Sequence, residues 1–273
     1  MITASLVLYN SDPQEVERLL LCVENSCIEI IHVVDNSSTD CIKDLVLSFP
    51  KAIYHYGHGN VGFGEGNNIA ISYVANSTYH IVLNPDIIFT PEAITDLACF
   101  MDRFPEVGCV KPALTHVDGS FNASVFSLPT PFITLGRRIL PDCLSSKINE
   151  WFELRDCNLE VTREVPNMSG SFLFIRAEVF DHIGVFDSRF FMYFEDFDLV
   201  RRIHESYKVV YYPKVSVIHA HRAEHKYNRK LYLISIKSAI KYFNKWGWFF
   251  DSKRRMWNKK ARSFKAVIID GLN

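Results

Sequence analysis

Strand and helix patterns alternate along the first half of this chain, and this alternation constrains the fold more than any other feature. Short apolar runs at residues 3–9, 28–34, 52–56, 80–89 and 107–111 are separated by segments with helical spacing. Such alternation predicts βαβ units and a mostly parallel central sheet flanked by helices. Because βαβ crossovers are right-handed, the loops after the strands should share one edge of the sheet. The sequence therefore predicts an α/β fold with a ligand site along that edge.

The stretch His80–Thr90, HIVLNPDIIFT, contains the strongest candidate for a functional group at this edge. Its first apolar residues form a buried strand pattern, and Pro85 should end the strand because proline cannot donate a ladder hydrogen bond. Asp86 would then lie just outside the strand, where a carboxylate is placed to hold a divalent cation against a diphosphate. The alternative is an ordinary turn, since Asn, Pro and Asp are all common turn residues.

Two earlier segments are predicted to lie along the same edge. Asp35 ends the second strand pattern, where its carboxylate can accept a hydrogen bond from a nucleobase or a ribose hydroxyl, or simply cap a helix. Gly59–Asn68, GNVGFGEGNN, precedes a helix predicted from about Ile69 to Val74. Its spacing matches neither a dinucleotide fingerprint nor a P-loop, so a phosphate-contacting loop and a flexible turn both remain open.

Three carboxylates, Glu195, Asp196 and Asp198, lie among aromatic residues in the segment FFMYFEDFD. Burial beside aromatic rings and crowding of like charges both raise the pKa of a carboxyl group, which suits a general base for a hydroxyl. The alternative is a helix start, which acidic residues also favour. His219 follows the last strand pattern and is a candidate metal or diphosphate ligand, whereas His221 and His225 are interpreted as surface residues.

Composition places the chain among globular proteins, with 48% hydrophobic residues, 22% charged residues and a net charge of −1. Seven cysteines without a CxxC pair indicate neither a disulfide framework nor a zinc knuckle, so a reducing cytoplasm is expected. The N-terminus lacks the basic start of a signal peptide, and no uninterrupted run of about 18 apolar residues predicts a membrane span.

The near-zero net charge conceals a strongly basic C-terminal segment. Residues 222–265 carry 14 of the 30 lysines and arginines and only two acids, while the remainder of the chain is acidic. This asymmetry predicts a basic helical segment whose partner is an acidic surface. Interleaved aromatic residues suit a membrane interface, and the alternative is that they pack on the preceding domain. No base-reading module accompanies the segment, so nucleic acid is not an expected partner.

Six motifs, in this order, resemble those of glycosyltransferase family 2, the inverting enzymes with a nucleotide-binding GT-A fold. They are VVDNSSTD (33–40), GNVGFGEGNN (59–68), LNPDIIF (83–89), SGSFLFIRAEVFDHIGVFD (169–187), FFMYFEDFDLVRRI (190–203) and YYPKVSVIH (211–219). The resemblance covers roughly residues 3–245 and points most to bacterial rhamnosyltransferases of O-antigen and other surface-polysaccharide assembly. It implies a GT-A catalytic domain at 1–221, with a nucleotide-sugar half at about 1–112 and an acceptor half at about 113–221. A basic aromatic helical tail at 222–273 would follow, and residues 121–164 are expected to be a partly helical insertion.

The resemblance also implies roles for particular residues. The nucleotide-sugar contacts are expected at Tyr9, Asp35, Asn60, Gly62, Asn68, Asn84 and Asp86. Asp86 corresponds to the last aspartate of the family's DxD metal motif, but Asn84 replaces the first, which makes His219 a candidate second ligand for Mg²⁺ or Mn²⁺. Gly170 and Ser171 should border the acceptor. Asp196 matches the family's general base, with Glu195 beside it.

The implied reaction moves a sugar, with L-rhamnose from dTDP-rhamnose favoured and a UDP-hexose donor as the alternative, onto a hydroxyl of a polyprenyl-diphosphate-linked glycan. A single in-line displacement would invert the anomeric centre. Such an acceptor implies a cytoplasmic enzyme, peripheral on the inner face of the cell membrane, with an anionic membrane surface as a partner. A sugar nucleotidyltransferase and a non-catalytic membrane-peripheral scaffold are the alternatives. The first would need a basic glycine-rich loop after the first strand, where this chain has YNSDP.

Overall fold

A computed structural model describes residues 1–220 and 229–268. The strands are β1 (Ile2–Leu8), β2 (Ile30–Asp35), β3 (Ala52–His55), β4 (Tyr79–Leu83), β5 (Ile87–Ile88), β6 (Val107–Thr115), β7 (Phe121–Asn122), β8 (Val125–Phe126), β9 (Arg163–Glu164), β10 (Asn167–Met168), β11 (Phe172–Arg176) and β12 (Lys208–His219). The helices are α1 (Pro13–Glu24), α2 (Lys43–Leu47), α3 (Phe63–Ile71), α4 (Pro91–Arg103), α5 (Pro131–Ile139), α6 (Asp142–Phe152), α7 (Glu178–Ile183), α8 (Glu195–Ile203), α9 (Arg229–Trp246) and α10 (Ser252–Lys260). The predicted surface positions of His221 and His225 lie outside the described residues.

One ten-stranded sheet organises the chain, in the order β3-β2-β1-β4-β11-β6-β12-β5, with β7 added to β6 and β9 added to β12. Strands β1, β2, β3, β4, β6 and β12 run in one direction, while β11 and the short β5, β7 and β9 run in the other. The predicted α/β fold, with a mostly parallel central sheet flanked by helices, is confirmed. Leu8 at the end of β1 pairs with Asp35 at the end of β2, so the loops after these strands share one edge.

Both faces of the central sheet are covered. On β4, Ile81 and Leu83 join the apolar core that also contains side chains of α1 and α4, while Val82 joins the core on the side of α7 and α8. A strand that is buried on both faces reads as the continuous apolar run seen in the sequence. Complete burial of each such side chain stabilises the fold by about 1.5–3 kcal/mol.

The helix predicted from about Ile69 instead begins at Phe63, inside the glycine-rich stretch. Gly62, at φ 91°, turns the chain into the helix, and the Phe63 N–H donates to the Phe191 carbonyl (3.0 Å). Glycine is a poor helix former, but a Cβ at Gly66 would lie only 2.9 Å from a side chain of β1. The close approach of α3 to the sheet therefore requires glycine and outweighs its low helix propensity.

The insertion at residues 121–164 is partly helical, as predicted. It contains the short strands β7 and β8, the helix pair α5 and α6, and β9, which pairs with β12. The Thr130 side chain caps α5 by accepting a hydrogen bond from the Ile133 N–H (3.1 Å), and Pro131 occupies the first turn, where no amide donor is needed. The insertion is joined to the main sheet at both ends, because β7 pairs with β6 and β9 pairs with β12.

The basic C-terminal segment packs onto the preceding part of the chain through α9 and α10. Tyr242 and Phe243 of α9 are buried with Phe190, and Arg201 of α8 forms a buried ion pair with Asp251 (2.8 Å). Four further cations pair with acids that lie earlier in the chain: Lys245 with Asp187 and Asp198, Lys253 with Glu205, Lys260 with Glu164 and Arg262 with Asp156. For these cations the predicted acidic partner is the chain itself, and part of the aromatic content packs inward.

The predicted division of the chain at residue 221 falls at the edge of a stretch, 221–228, outside the described residues, and it stays a prediction. None of the helices within residues 1–220 and 229–268 is both long enough and apolar enough to cross a membrane.

Candidate active site

Asp35, the last residue of β2, is held at the sheet edge by two hydrogen bonds. Its Oδ1 accepts the Ser37 N–H (2.9 Å), and its Oδ2 accepts the Tyr54 hydroxyl (2.7 Å). Burial, followed by this hydrogen bond, raises the pKa of Tyr54, so the phenol remains a donor. The Tyr54 ring stacks on the Tyr56 ring with centroids 6.1 Å apart. Tyr9, another predicted nucleotide-sugar residue, is exposed at the end of the neighbouring strand β1.

The glycine-rich stretch is fastened to the end of β2. Asn60 Oδ1 accepts the Gly62 N–H (3.1 Å), and the Asn36 side chain donates to the Gly62 carbonyl (3.0 Å). Besides its positive φ, Gly62 has no room for a Cβ, which would collide with a backbone carbonyl before α8. Asn68, by contrast, exchanges two hydrogen bonds with the Phe186 backbone (2.9 Å each). Its amide therefore joins α3 to residue 186, and its contact with a nucleotide-sugar stays a prediction.

Asp86 and His219 come together across the antiparallel pairing of β5 with β12. The register places His219 opposite Ile87, and Asp86 Oδ2 lies 3.1 Å from His219 Nε2. The backbone N–H of Asn84 donates to the Ser171 carbonyl (2.9 Å), which links the predicted donor edge to the predicted acceptor residues. The structure thus brings the two predicted metal ligands into contact, although they are far apart in the sequence.

The donor set at this position is one carboxylate and one imidazole. Across the described ranges 1–220 and 229–268, no group of three or more His, Cys, Asp or Glu side chains is placed to hold a metal ion. Mg²⁺ at phosphate-transfer sites is usually bound by one or two carboxylates together with substrate phosphates, and Mn²⁺ also prefers oxygen ligands. Asp86 and His219 therefore fit a divalent cation that a diphosphate helps to coordinate, rather than a metal site closed by protein ligands alone.

Glu195 and Asp196 begin α8 after two residues in the left-handed backbone region, Tyr193 at φ 68° and Phe194 at φ 69°. Such residues cost about 1–3 kcal/mol each and are concentrated at functional sites. The Asp196 carboxylate accepts a hydrogen bond from the Gly170 N–H and another from the next N–H of α8 (2.8 Å each). The predicted base and the predicted acceptor residue Gly170 are thus in direct contact.

The two carboxyl groups differ in their surroundings. Glu195 is 4% exposed, and its Oε2 has no hydrogen-bond partner within the part of the chain that the structure describes. Burial, and secondarily the charge of Asp196, raises the pKa of Glu195 to about 8. Burial also raises the pKa of Asp196, but the Gly170 hydrogen bond and the charge of Lys111 oppose this rise. At neutral pH this arrangement favours a protonated Glu195 beside an ionised Asp196.

The third carboxylate of the segment, Asp198, has a structural role. It is fully buried, forms ion pairs with Arg202 (2.9 Å) and Lys245 (2.7 Å), and accepts the indole N–H of Trp246 (2.8 Å). Because Lys245 and Trp246 belong to α9, these contacts hold the tail against α8. The predicted crowding of three carboxylates is therefore reduced to the pair at the start of α8.

Lys111 is a residue of this site that the sequence analysis did not identify. It lies in β6 and is fully buried, and its Nζ donates to the carbonyls of Ser169 (2.8 Å) and Phe172 (2.9 Å) and lies 3.4 Å from Ser171 Oγ. Burial lowers the pKa of Lys111 to about 7. These contacts fix the turn that presents the Gly170 N–H. The signal in the sequence is a lysine inside the apolar run VGCVKPAL, where a charged group needs several partners.

A family model described as Glycosyl transferase family 2 matches residues 5–184. The chain is 30% identical over 233 residues to an N-acetylglucosaminyl-diphospho-decaprenol L-rhamnosyltransferase of Mycobacterium tuberculosis, an alignment that covers 80% of this chain and 75% of that protein. It is 26% identical over 238 residues to rhamnosyltransferase WbbL of Escherichia coli (strain K12), with 78% and 81% covered. Both alignments span most of the chain and are not confined to single motifs.

Two solved structures share the fold. The crystal structure of GalNAc-T7 with UDP, GalNAc and Mn²⁺ superimposes with a TM-score of 0.66 at 14% identity, covering 90% of this chain and 48% of that one. The mannosyltransferase PcManGT from Pyrobaculum calidifontis, in complex with GDP-Man and Mn²⁺, gives a TM-score of 0.59 at 14% identity, with 89% and 63% covered. The chain therefore spans about half of the first structure and less than two thirds of the second, and the likeness concerns the fold alone.

Proposed function

Because the chain belongs to glycosyltransferase family 2 and has the GT-A fold, we propose that it is an inverting, metal-dependent sugar transferase. The favoured donor is dTDP-rhamnose, and the acceptor is a hydroxyl of a polyprenyl-diphosphate-linked glycan in bacterial surface-polysaccharide or O-antigen synthesis. The names of the two rhamnosyltransferase relatives support this donor sugar, and the name of the Mycobacterium tuberculosis relative supports a lipid-diphosphate-linked acceptor. We also propose that the enzyme is cytoplasmic and associates peripherally with the inner face of the membrane.

The contact between Asp196 and Gly170 carries the proposal. It sets a carboxylate with two backbone hydrogen bonds at the predicted acceptor edge. The neighbouring Glu195 is buried, and burial raises its pKa to about 8, so it is neutral at pH 7. Hydrogen bonds from backbone N–H groups stabilise the ionised form of a carboxyl, which is the form that accepts a proton. A base held in this way does not need to reorganise when the acceptor binds.

The proposed reaction is a single displacement. The oxygen of the acceptor hydroxyl forms a bond to the anomeric carbon of the donor sugar, and the bond from that carbon to the diphosphate oxygen breaks. Asp196 takes the hydroxyl proton, and the nucleoside diphosphate leaves on the opposite face. The anomeric centre is therefore inverted, and no covalent sugar–enzyme intermediate is required.

Asp86 and His219 would hold the divalent cation of the proposal. When bound, Mg²⁺ or Mn²⁺ would neutralise the negative charge that develops on the diphosphate leaving group. Asp35, oriented by its hydrogen bond from Tyr54, would accept a hydrogen bond from the nucleobase. The residues Tyr9, Asn60 and Gly62 would border the nucleotide-sugar. Ser171, whose carbonyl accepts the Asn84 N–H, would connect the donor and acceptor sides.

Replacement of the proposed base by its amide tests this function. Asp196→Asn keeps the shape of the side chain but cannot accept the proton, so we expect a loss of roughly 10²–10⁴-fold in transfer, with nucleotide-sugar binding retained. Glu195→Gln is the matched control and should cost less. The assay is transfer to a polyprenyl-diphosphate-linked acceptor, with donor binding measured separately by calorimetry. An inactive Glu195→Gln alongside an active Asp196→Asn would reverse the assignment.

A donor screen tests the finer part of the proposal. The wild-type enzyme is offered dTDP-rhamnose, UDP-hexoses and GDP-sugars with the same acceptor, and turnover of dTDP-rhamnose above the others is expected. Turnover of a UDP-hexose alone would leave the transferase in place and overturn the donor. Release of sugar into water with no transfer to any acceptor would overturn the acceptor class.

A further inference from the structure

A groove between the α5–α6 insertion and the C-terminal tail combines aromatic and cationic side chains. It has a volume of about 510 Å³. The basic groove is defined here by Phe132, Trp151, Trp248, Phe249, Arg255 and Lys259. Among the described residues that line it or the adjoining cavity, which adds Ile133, Lys147 and Ile148, there is no aspartate or glutamate. The surface is therefore both apolar and positively charged.

The two walls of the basic groove are fixed to each other by side chains that also line it. Asn258 exchanges two hydrogen bonds with the Leu128 backbone (2.7 and 3.0 Å), and the Arg262 guanidinium lies 4.2 Å from the centroid of the Trp151 ring. Arg254 donates to the carbonyl of Trp248 (3.0 Å) and so holds the loop between α9 and α10. The groove is thus a fixed part of the fold, because these contacts join the insertion to the tail.

Large aromatic side chains protrude at the rim of the basic groove. Phe249 and Phe250 are 71% and 91% exposed, and Phe132, more than one hundred residues earlier in the chain, is 68% exposed. Single exposed apolar residues are ordinary, but a cluster with polar neighbours marks an interaction surface. Arg254 fixes the loop at Gly247 and Trp248, directly before Phe249, whereas Phe132 projects from α5.

Arg255 and Lys259 of the basic groove differ from five basic residues of the tail that are held in ion pairs. Five tail cations, Lys245, Lys253, Arg254, Lys260 and Arg262, form ion pairs with acids of the chain. Arg255 and Lys259 are exposed and lie four residues apart, on one face of α10. Neither forms an ion pair with an acid in the described part of the chain, so their charge is available to an external partner.

We propose that the basic groove, together with Phe250, docks the enzyme on an anionic phospholipid membrane. The protruding rings enter the boundary between headgroups and acyl chains, while Arg255 and Lys259 contact headgroup phosphates. Arg255 and Lys259 have no acid beside them in the lining of the basic groove, so their charge is complementary to an anionic surface. Rings that project from a rim suit insertion into a lipid layer better than they suit the recessed pocket of a soluble ligand.

This docking surface lies close to the candidate active site, and only this step rests on the proposed function. Trp151 of the groove is followed by Phe152, whose ring stacks on Phe126 (5.2 Å) and lies 6.3 Å from the ring of Phe197. Phe197 is the residue after Asp196. Neighbouring aromatic rings therefore connect the groove with the residue next to the proposed base, which suits an acceptor whose lipid remains in the bilayer.

Vesicle flotation of the full chain tests the proposal. The vesicles contain phosphatidylcholine alone or mixed with phosphatidylglycerol, in low and in high salt, without donor or acceptor. We expect binding to the anionic vesicles that decreases with salt. Arg255→Gln/Lys259→Gln should weaken this binding about 30-fold, because each cation contributes about 1 kcal/mol at an anionic surface. Phe249→Ser/Phe250→Ser should weaken it at least about tenfold.

Matched controls locate the surface within the tail. Lys237→Gln/Lys265→Gln removes two exposed tail cations outside the groove, and Leu233→Ser/Ile240→Ser removes two exposed apolar residues of α9. Both should bind like the wild type. The proposal would be overturned if the wild type does not bind, or if it binds neutral vesicles as well as anionic ones. It would also be overturned if the control variants lose as much binding as the groove variants.

A separate readout distinguishes failure of this inference from failure of the proposed function. Transfer to a short, water-soluble diphosphate-linked acceptor should be unchanged in the two groove variants, because none of the four replaced residues contacts the carboxylate pair. Loss of this transfer would mean that the groove variants disturb the catalytic fold, which would also overturn a pure docking role. Vesicle binding by an enzyme that transfers no sugar would support docking and contradict the function.

Discussion

Replacing Glu195 with glutamine tests whether this carboxyl group is buried in its neutral form. The pKa of Glu195 rises from 4.5 to about 8 on folding, chiefly through burial. The folded protein therefore binds one more proton than the unfolded chain between these pH values, and its stability must fall as the pH rises through them. At 1.36 kcal/mol per pKa unit, the free energy of unfolding should decrease by on the order of 5 kcal/mol between about pH 4.5 and pH 8.

In the variant this loss is removed, since glutamine does not ionise. Its amide would be buried where Glu195 Oε2 now lacks a partner, which costs about 1–3 kcal/mol at every pH. Near pH 5 the variant should therefore be slightly less stable than the wild type, and near pH 8 it should be more stable by roughly 2–4 kcal/mol. The two stability curves should cross between these values.

Urea unfolding at several pH values between 5 and 8 measures these curves. Glu17→Gln, at an exposed position on α1, is the matched control and should follow the wild type throughout. Parallel curves for the wild type and Glu195→Gln would show that Glu195 is already ionised in the folded protein. The division of roles between a neutral Glu195 and an ionised Asp196 would then be refuted.

Three further predictions concern the metal position, the buried lysine and the tail. Asp86→Ala should lower turnover roughly 10³-fold without unfolding the protein, and near-normal turnover, or indifference of the wild type to EDTA, would contradict the metal role. Lys111→Met should lower kcat roughly 10²-fold with little change in the donor KM, because the turn carrying Gly170 loses its anchor; a change in KM alone would argue against positioning of the base. Asp251→Ala should lower the free energy of unfolding by about 3–5 kcal/mol, since it leaves Arg201 buried without its carboxylate. A loss below about 1 kcal/mol in urea unfolding would show that the pair does not hold the tail.

The candidate site illustrates which contacts can be predicted from a sequence. Asp35 and Asp86 were placed correctly at the sheet edge because each follows an apolar run that must be a buried strand, and the geometry of parallel sheets brings such ends together. Lys111 was missed because its partners are the carbonyls of Ser169 and Phe172, which approach it only through the antiparallel pairing of β11 with β6. A local pattern carries no information about such pairing.

The start of α3 shows the same limit in secondary structure. A stretch with four glycines reads as a loop, because glycine is the poorest helix former apart from proline. The helix nonetheless begins at Phe63, since glycine alone allows α3 to approach β1 and the Glu195 side chain closely. Tertiary packing thus outweighs a local preference worth about 1 kcal/mol per residue.

The sequence by itself determined the α/β class, the parallel arrangement of the first strands and the set of candidate catalytic groups, because these follow from hydrophobic period and residue chemistry. Only the tertiary structure decided which groups meet: Asp86 with His219, Asp196 with Gly170, and tail cations such as Lys245 and Lys260 with acids that lie earlier in the chain. It also decided that Tyr242 and Phe243 face inward while Phe249 and Phe250 face outward. The physical reason is that burial and ion pairing depend on residues distant in the chain, and their positions are set by the packing of the whole fold.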